Sequence, residues 1–535
     1  MASKTGSERL HAFGGVTMTD AILVTILQNR LENIAEQMST VLRKSAYSPN
    51  IKERADFSCA IFDGRARLIA QAEAIPVHLG SMGYVAKPVL KKFSETWKEG
   101  DAIIVNSPRG EFGGTHLPDI TLLAPLFVDG ELKYIVANRA HHADVGGMTP
   151  GSLPPDSTEI FQEGLIIPPV RLYIGGEENH DVMNLILENV RTPEERRGDL
   201  RAQYASLMLG IRRLKELITT ESWDFITLQK ELLDRSELGT SRRINSLPTG
   251  YGIFTDYLDS DGISSEPVKI QCKVTIKGGQ MSFDFTGTDA ERVGNVNAPV
   301  SITTAACAYV LRLITGRDVP TNEGCFRPMN IIAPEGTVVN PSPTAATSSA
   351  NTETSSRIVD VVMGAVGKII TFPAASQGTM NNVILGGNTG QRWTLYETIG
   401  GGTGAMLGRD GTSAIHSHMT NTLNTPIEAL ELNFPLVVRE YGIRKGSGGA
   451  GEFEGGDGIV REIEFLDKTT ISLQTERRVL HPWGKEGGEP GDTGQNSLIS
   501  SDGETILRGR QSLTANPGDR LRIETPGGGG FGSKS

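Results

Sequence analysis

The sequence predicts a mixed α/β fold, α+β-like and multi-layered, β-rich with several buried helices, and no simple doubly wound sheet. Three observations predict it. Glycine accounts for 63 of 535 residues beside 27 prolines, and that much backbone punctuation favours short strands and tight turns over a helical bundle. Several apolar runs are bounded by turn dipeptides, as hairpins are. A few longer segments repeat apolar residues at three and four, as amphipathic helices do. Hydrophobic residues make up 38% and charged residues 21%, enough for a packed core and no sign of wholesale disorder. At roughly 150 residues per domain the length allows three or four units, although one large fold could hold most of it.

Residues 1–18 read as a flexible arm. Thr19 or Asp20 can cap a helix through about Ser45, because Leu23, Leu27, Leu31, Ile34, Met38 and Val41 make one apolar stripe. Ser48-Pro49-Asn50 breaks that pattern. Ala60–Asp63, then Gly64, then Ala66–Ala70 suggest a hairpin, and Ala102–Asn106 a short buried strand. Ile120–Val128 and Glu131–Asn138 flank Asp129-Gly130, a strong hairpin signal because both turn residues tolerate φ > 0. Thr192-Pro193-Glu194-Glu195 reads as a capped helix start with proline at the first helical position. That helix is expected to reach Ile218, with Leu200, Tyr204, Leu207, Ile211 and Leu214 on one face. A second helix is expected over Asp224–Arg235, with a boundary at Ser246–Gly252. β-like segments follow at Val268–Val274 and Gln280–Thr286, and buried helices at Val300–Leu313 and Ser355–Ile370. From Tyr441 onward short strands alternate with glycine clusters. The terminal Thr525-Pro526-Gly527-Gly528-Gly529-Gly530-Phe531-Gly532 suits no regular element.

Charge and composition exclude several classes. Lys plus Arg is 52 and Asp plus Glu 63, a net −11, which argues against a general nucleic-acid binder. The four cysteines (Cys59, Cys272, Cys307, Cys325) form no CxxC pair, so neither a disulfide framework nor a thiolate zinc site is indicated. The N-terminus lacks an apolar signal core and no run suits a bilayer. The expectation is a soluble, cytoplasmic protein with no membrane role.

The best chemical constellation lies in the first 145 residues. His116 and Asp119 form an HxxD pair in GGTHLPD, and His141, His142 and Asp144 lie in NRAHHADVGG. If Asp129-Gly130 is a two-residue turn, Asp119 faces Ala140 and His116 faces Ala143, so both clusters sit at the open end of one hairpin. Two imidazoles with one or two carboxylates suit a borderline divalent metal such as zinc, manganese or iron, which could lower the pKa of a water or polarise a carbonyl. Asp56 is available to complete the shell. The bland alternative is that HH and HxxD are turn or surface residues. A second group, His416, His418, Asn421, Asn424 and Glu428, reads as a further ligand set, a substrate-contacting cluster or a hydrogen-bonded core pair. A strand through His416-Ser417-His418 would point both imidazoles to one face. Asn351–Asp360 (NTETSSRIVD) reads as a polar loop opening a helix, with Glu353 and Arg357 spaced to pair. Gly400–Gly404 and Glu111–Thr115 resemble phosphate loops, but no GK[ST] or second phosphate loop accompanies them, so turns are expected.

Taken in order, these segments resemble the hydantoinase B family, which includes the matching part of 5-oxoprolinase and the large subunits of acetone and acetophenone carboxylases. RADFSCAIFD (54–63), GGTHLPDITLLAP (113–125), NRAHHADVGG (138–147), IFQEGLIIPPVRL (160–172), FDFTGT (283–288), GNVNAP (294–299), NTETSSRIVD (351–360), HSHMTNTLNTPIEALE (416–431) and TPGGGGFG carry the resemblance. It implies one catalytic unit over 19–535: a metal-binding region (19–190), a helical region (191–245), a mixed core (246–440) and a Gly-rich β region (441–535). It also implies a divalent metal (zinc or manganese, or iron) on Asp56, His116, Asp119 and His141. A hydantoinase A type ATPase partner would bind the ATP in a hetero-oligomer such as A2B2, and the substrate would be a small cyclic amide. Strict strand alternation favours His142 over His141, but Pro118 disturbs a regular ladder and the resemblance favours His141. His142 and Asp144 are then expected to orient ligands or handle protons. The expected activity is ATP-dependent hydrolysis of a lactam or cyclic ureide. The alternatives are a ketone carboxylase subunit or a non-catalytic subunit with a structural metal.

Overall fold

Continuous apolar runs in the first part of the chain build one seven-stranded sheet. Its strands are β1 (Phe57–Asp63), β2 (Leu68–Gln71), β3 (Ala102–Val105), β4 (Asp119–Val128), β5 (Glu131–His141), β6 (Val170–Ile174) and β7 (Glu177–Glu178), in the order β2-β1-β5-β4-β3-β6-β7. The computed structural model describes residues 18–72, 75–78, 80–387 and 392–534. Residues 1–17 of the expected arm lie outside them, and residue 18 already opens the first helix, Met18–Ser45. Both faces of the sheet are covered, so its strands read as continuous apolar runs instead of alternating ones. Cys59, Ile61, Leu122 and Val136 point into a core shared with Met18–Ser45, Pro193–Thr220 and Phe225–Asn245. Their neighbours Ala60, Phe62, Leu123 and Ile135 meet Val85, Val89 and Phe93 of the helix Met82–Phe93 on the other side.

Local expectations shift in places. On the first helix Val24 and Leu42 are buried while Leu23 and Val41 are only partly so, a small rotation of the stripe. The helix after Thr192 starts at Pro193 as expected, but the Thr192 side chain makes no capping bond. Its buried face carries Arg196, Asp199, Gln203 and Ser206 beside the leucines. The next helix is capped by Asp224, which accepts from Thr227 N at 3.2 Å, and runs on to Asn245.

A second sheet is β11-β10-β9-β8, from β8 (Gly250–Leu258), β9 (Val268–Lys277), β10 (Gln280–Asp284) and β11 (Met329–Ile332). Val274, Phe283 and their same-face neighbours pack on the buried helices Val300–Thr315 and Ser355–Val366. The remaining strands are β12 (Asn382–Gly387), β13 (Trp393–Glu397), β14 (Leu436–Arg444), β15 (Gly458–Phe465), β16 (Thr469–Gln474), β17 (Gln495–Ser500), β18 (Gly503–Leu507), β19 (Arg510–Ala515) and β20 (Arg520–Glu524). They form the sheets β13-β12-β16-β19 and β14-β15-β20-β17-β18. Val383, Leu385 and Leu473 of one share a core with Ile459, Ile463 and Ile523 of the other, a sandwich. Among the described residues no helix is long and apolar enough to cross a membrane.

The glycine-rich terminus is neither helix nor strand, yet it is densely bonded. Gly528 N donates to Gly456 O at 2.8 Å, Gly449 N to Gly528 O at 2.8 Å and Gly456 N to Thr403 O at 2.9 Å. A Cβ on Gly528 would stand 2.0 Å from Thr403 O, and one on Gly402 1.8 Å from Gly456 O. Backbone packed on backbone is what demands glycine here, and the Gly400–Gly404 run belongs to this layer.

Candidate metal centre

The hairpin of β4 and β5 places the first three site residues. Beside the Asp129-Gly130 turn, Phe127 pairs with Leu132, but Leu126 pairs with Tyr134, leaving Lys133 as an extra residue on β5. This bulge shifts the register by one, so Asp119 faces His141 instead of Ala140. A one-residue shift exchanges the faces of a strand. It removes the clash between strand alternation and the choice of His141.

His116 Nε2 lies 3.0 Å from Asp119 Oδ1 and 3.1 Å from His141 Nδ1, and His141 Nδ1 lies 3.2 Å from Asp119 Oδ1. All three side chains are buried. Donors bonded to one ion at about 2.1 Å stand roughly 3.0–3.4 Å apart, so this triangle has the dimensions of one face of a coordination shell. Two imidazoles and a carboxylate are also the donor set of an open facial site. Among the described residues it is the group of His, Cys, Asp and Glu whose donor atoms converge within 4.8 Å of one another, and Asp56 is not among them. Asp56 is nevertheless close: its backbone carbonyl accepts from His141 N at 3.0 Å and its carboxylate lies 3.9 Å from Arg54.

The two oxygens of Asp119 divide their work. Oδ1 meets the imidazoles, while Oδ2 accepts from Thr115 Oγ1 at 2.6 Å and Asn351 Nδ2 at 3.1 Å and lies 3.4 Å from His78 Nε2. Ser58 Oγ holds the other ring nitrogen of His78 at 2.8 Å. His141 is clamped between its neighbours: its ring stacks on Tyr396 at 4.6 Å, and its carbonyl accepts from Asn50 Nδ2 at 2.8 Å. Arg54 lies over the Tyr396 ring at 4.5 Å and also bonds Asn50. Burial alone would lower the His116 pKa, but the Asp119 charge and hydrogen bond, with the Ser348 carbonyl and Asp56, together hold His116 above the ordinary imidazole value. The same pairing overcomes burial at Asp119 and keeps it well below the carboxylate range. Burial dominates at His141 and lowers its pKa, and its Nε2 has no hydrogen-bond partner.

The other expected residues are placed differently. His142, next along the chain, faces the opposite way and meets Gln203 Oε1 at 2.9 Å, and burial with Arg196 nearby brings its pKa down to about 4. The Asp144 carboxylate is taken up by Gly146 N, Gly151 N, Arg191 N and the Arg191 guanidinium, at 3.0–3.1 Å. His416 and His418 do not share a face. No strand forms there, His418 adopts a left-handed φ of 57°, and it meets Tyr309 while His416 meets Thr420. Glu428 is exposed. Glu353 and Arg357 do not pair either. Glu353 accepts from Met380 N and Asn382 Nδ2, whereas Arg357 bonds Asp256 at 3.1 Å, because the helix opens with a π-turn, Ala350–Thr354. Sequence reasoning missed His78, Asn351 and Tyr396. Asn351 had a signal, its place in the NTETSSRIVD motif, whereas a single His in IPVH had none.

A family model described as hydantoinase B/oxoprolinase matches residues 20–534. The chain belongs to this family. An uncharacterised protein of Methanocaldococcus jannaschii is 44% identical over 96% of the chain and 91% of its own length. The 5-oxoprolinase of Dictyostelium discoideum is 41% identical over 97% of the chain but only 41% of its own length, so the chain spans about two-fifths of that relative. The crystal structure of an ATP-dependent caprolactamase from Pseudomonas jessenii superposes with a TM-score of 0.88 at 30% identity, covering 97% of this chain and 92% of that one. The converging triangle is drawn from two of the segments that carried the resemblance.

Proposed function

We propose that the chain is the metal-bearing B component of an ATP-dependent cyclic amidase of the hydantoinase, N-methylhydantoinase or caprolactamase type. The observation that carries this reading is the buried His116–Asp119–His141 triangle in a member of a family whose relatives include a 5-oxoprolinase and an ATP-dependent caprolactamase. His116, Asp119 and His141 would hold a divalent ion, zinc or manganese or else iron, with Asp56 as the fourth residue on the same side. Such an ion supplies Lewis acidity toward a ring carbonyl and lowers the pKa of a water. The chain's own residues prepare for it. Thr115 and His78 hold Asp119 so that Oδ1 stays turned to the imidazoles, and the Tyr396 stack fixes the plane of His141. Such outer contacts orient ligands and raise their basicity. His142, through Gln203, steadies the end of β5, and Asp144 gathers the glycine loop after it; in this reading both act by positioning.

An unstrained lactam is resonance-stabilised and a poor electrophile. Phosphorylation of its oxygen by ATP makes it a good one, and a buried centre then keeps stray water away. The ATP would be bound by a hydantoinase A type partner in the cytoplasm, as a hetero-oligomer. The relative of which this chain spans 41% has room for such a part in one polypeptide. The test is co-expression with a hydantoinase A type partner, followed by metal analysis and ATP-dependent ring opening of hydantoin, N-methylhydantoin and caprolactam. Stoichiometric metal, lost together with ring opening in His116→Ala and Asp119→Ala, is the expected result. Metal retained in both variants sinks the ligand assignment. Bicarbonate-dependent ATP turnover on ketones, without ring opening, moves the protein to the carboxylase reading.

A further inference from the structure

We propose that Asn351 is a further ligand of the divalent ion, through its side-chain oxygen. The inference rests on the metal-centre reading and adds a residue from a distant part of the chain. The amide nitrogen of Asn351 stands 3.1 Å from His116 Nε2 and 3.1 Å from Asp119 Oδ2. The distance to His116 is the spacing the triangle shows within itself, so the end of this side chain stands beside that corner, next to the outer oxygen of Asp119. The other amide atom, Oδ1, is buried and has no hydrogen-bond partner. A buried carbonyl left unpaired is costly, and a half-turn of the amide exchanges the two atoms without changing its volume.

The two orientations suit two states. Facing the acceptor Asp119 Oδ2, the amide presents its NH2. Facing a cation held by the same residues, it would present oxygen, a donor that manganese and other hard ions accept. Asp119 Oδ2 does not lose its support in the exchange, because Thr115 still donates to it at 2.6 Å. The backbone is built for the placement. Asn351 sits in the five-residue π-turn Ala350–Thr354, and its carbonyl accepts from Ser355 Oγ at 2.7 Å. One inserted residue rotates what precedes it by about 100° around the helix axis, and π-turns gather at functional sites for that reason.

The test is a manganese titration of the purified full-length chain, followed by calorimetry and by the EPR signal of free Mn2+. Wild type, His116→Ala, Asn351→Ala and Asn351→Asp are compared, and circular dichroism checks that each metal-free variant is folded. Wild type should bind one ion and His116→Ala should not. Asn351→Ala should bind at least tenfold more weakly. Asn351→Asp should bind as tightly as wild type or more tightly, because it keeps the oxygen and adds charge. Equal weakening by Asp and Ala makes the amide a mere donor to Asp119 and overturns the proposal, as does wild-type binding in both. A wild type without metal, or His116→Ala with it, fails the underlying metal reading on a separate arm. If Asn351→Asp does not fold, a crystal structure of the manganese-loaded wild type decides. Asn351 Oδ1 within about 2.5 Å of the ion supports the proposal, and a distance beyond hydrogen-bond range overturns it.

Discussion

At the residue scale the centre is an arrangement of protons as much as of atoms. Metal binding competes with protons at His116, whose pKa burial would lower but which the Asp119 charge and hydrogen bond, the Ser348 carbonyl and Asp56 together raise. A raised ligand pKa means that protons compete up to that higher value. Metal affinity should therefore climb with pH through the ordinary imidazole range and level off only above it; calorimetry at a series of pH values measures this, and a flat profile would contradict it. Glu163 makes a different residue-scale case. It is fully buried and accepts from Ser157 Oγ, Thr347 N, Thr347 Oγ1 and Ser348 N, with no basic partner among these bonds, and burial lifts its pKa to about 7. The folded state holds this proton where the unfolded chain has released it, so the stability it lends is present at low pH and is lost as pH rises from the ordinary carboxylate range toward 7. Glu163→Gln keeps the acceptor and removes the charge. It should flatten that dependence and leave the protein roughly 1–3 kcal/mol more stable above pH 7, as read from urea unfolding at pH 5 and pH 8.

At the scale of elements, one unpaired residue offsets the count along the hairpin. Lys133 is the bulge that puts His141, not Ala140, opposite Asp119. Deleting it should close the bulge while Tyr134 stays opposite Leu126 and His141 stays opposite Asp119, so metal binding should be kept; metal content of the purified variant is the readout, and lost metal would show that the bulge itself, and not only the register it sets, shapes the site. The hairpin itself was legible, since Asp129-Gly130 between two apolar runs announces it. The bulge was not, because Leu132-Lys133-Tyr134 carries no glycine or proline to mark an extra residue. The glycine layer is legible in the opposite way. Its composition is obvious, but its bonding depends on segments around 403, 449, 456 and 528 that meet only in space. Gly528→Ala would drive a Cβ to 2.0 Å from Thr403 O, and overpacking of this kind costs about 1–3 kcal/mol or more. A lower melting temperature, with the isosteric surface change Glu504→Gln as control, checks it.

Over the whole molecule, the centre forms where three sheets meet. β4 and β5 supply Asp119 and His141, the π-turn before the helix on the second sheet supplies Asn351, and β13 supplies Tyr396. A buried charge network holds these parts in register. Arg477 bonds Asp256 of β8 at 2.7 Å and Asp360 at 2.7 Å, Arg357 bonds Asp256 at 3.1 Å, and Arg510 bonds Glu476 at 2.8 Å. Removing one partner strands the other charges in a medium that cannot solvate them. Arg477→Met should cost about 3–5 kcal/mol, seen as faster thermal inactivation. A wild-type inactivation rate in that variant would show that the network contributes little.

By itself the sequence determined the class of fold, the family and the two segments that supply the triangle. Apolar period, turn dipeptides and HxxD and HH spacing are local, and local patterns survive without knowledge of the fold. Only the tertiary structure decided which imidazole faces Asp119, that Asn351, His78 and Tyr396 complete the surroundings, and that His416 and His418 part company. Each of these depends on a bulge, a π-turn or a left-handed residue that shifts a register by a single position, and on contacts between residues hundreds of positions apart. Periodicity cannot register the first, and spacing along the chain cannot reach the second.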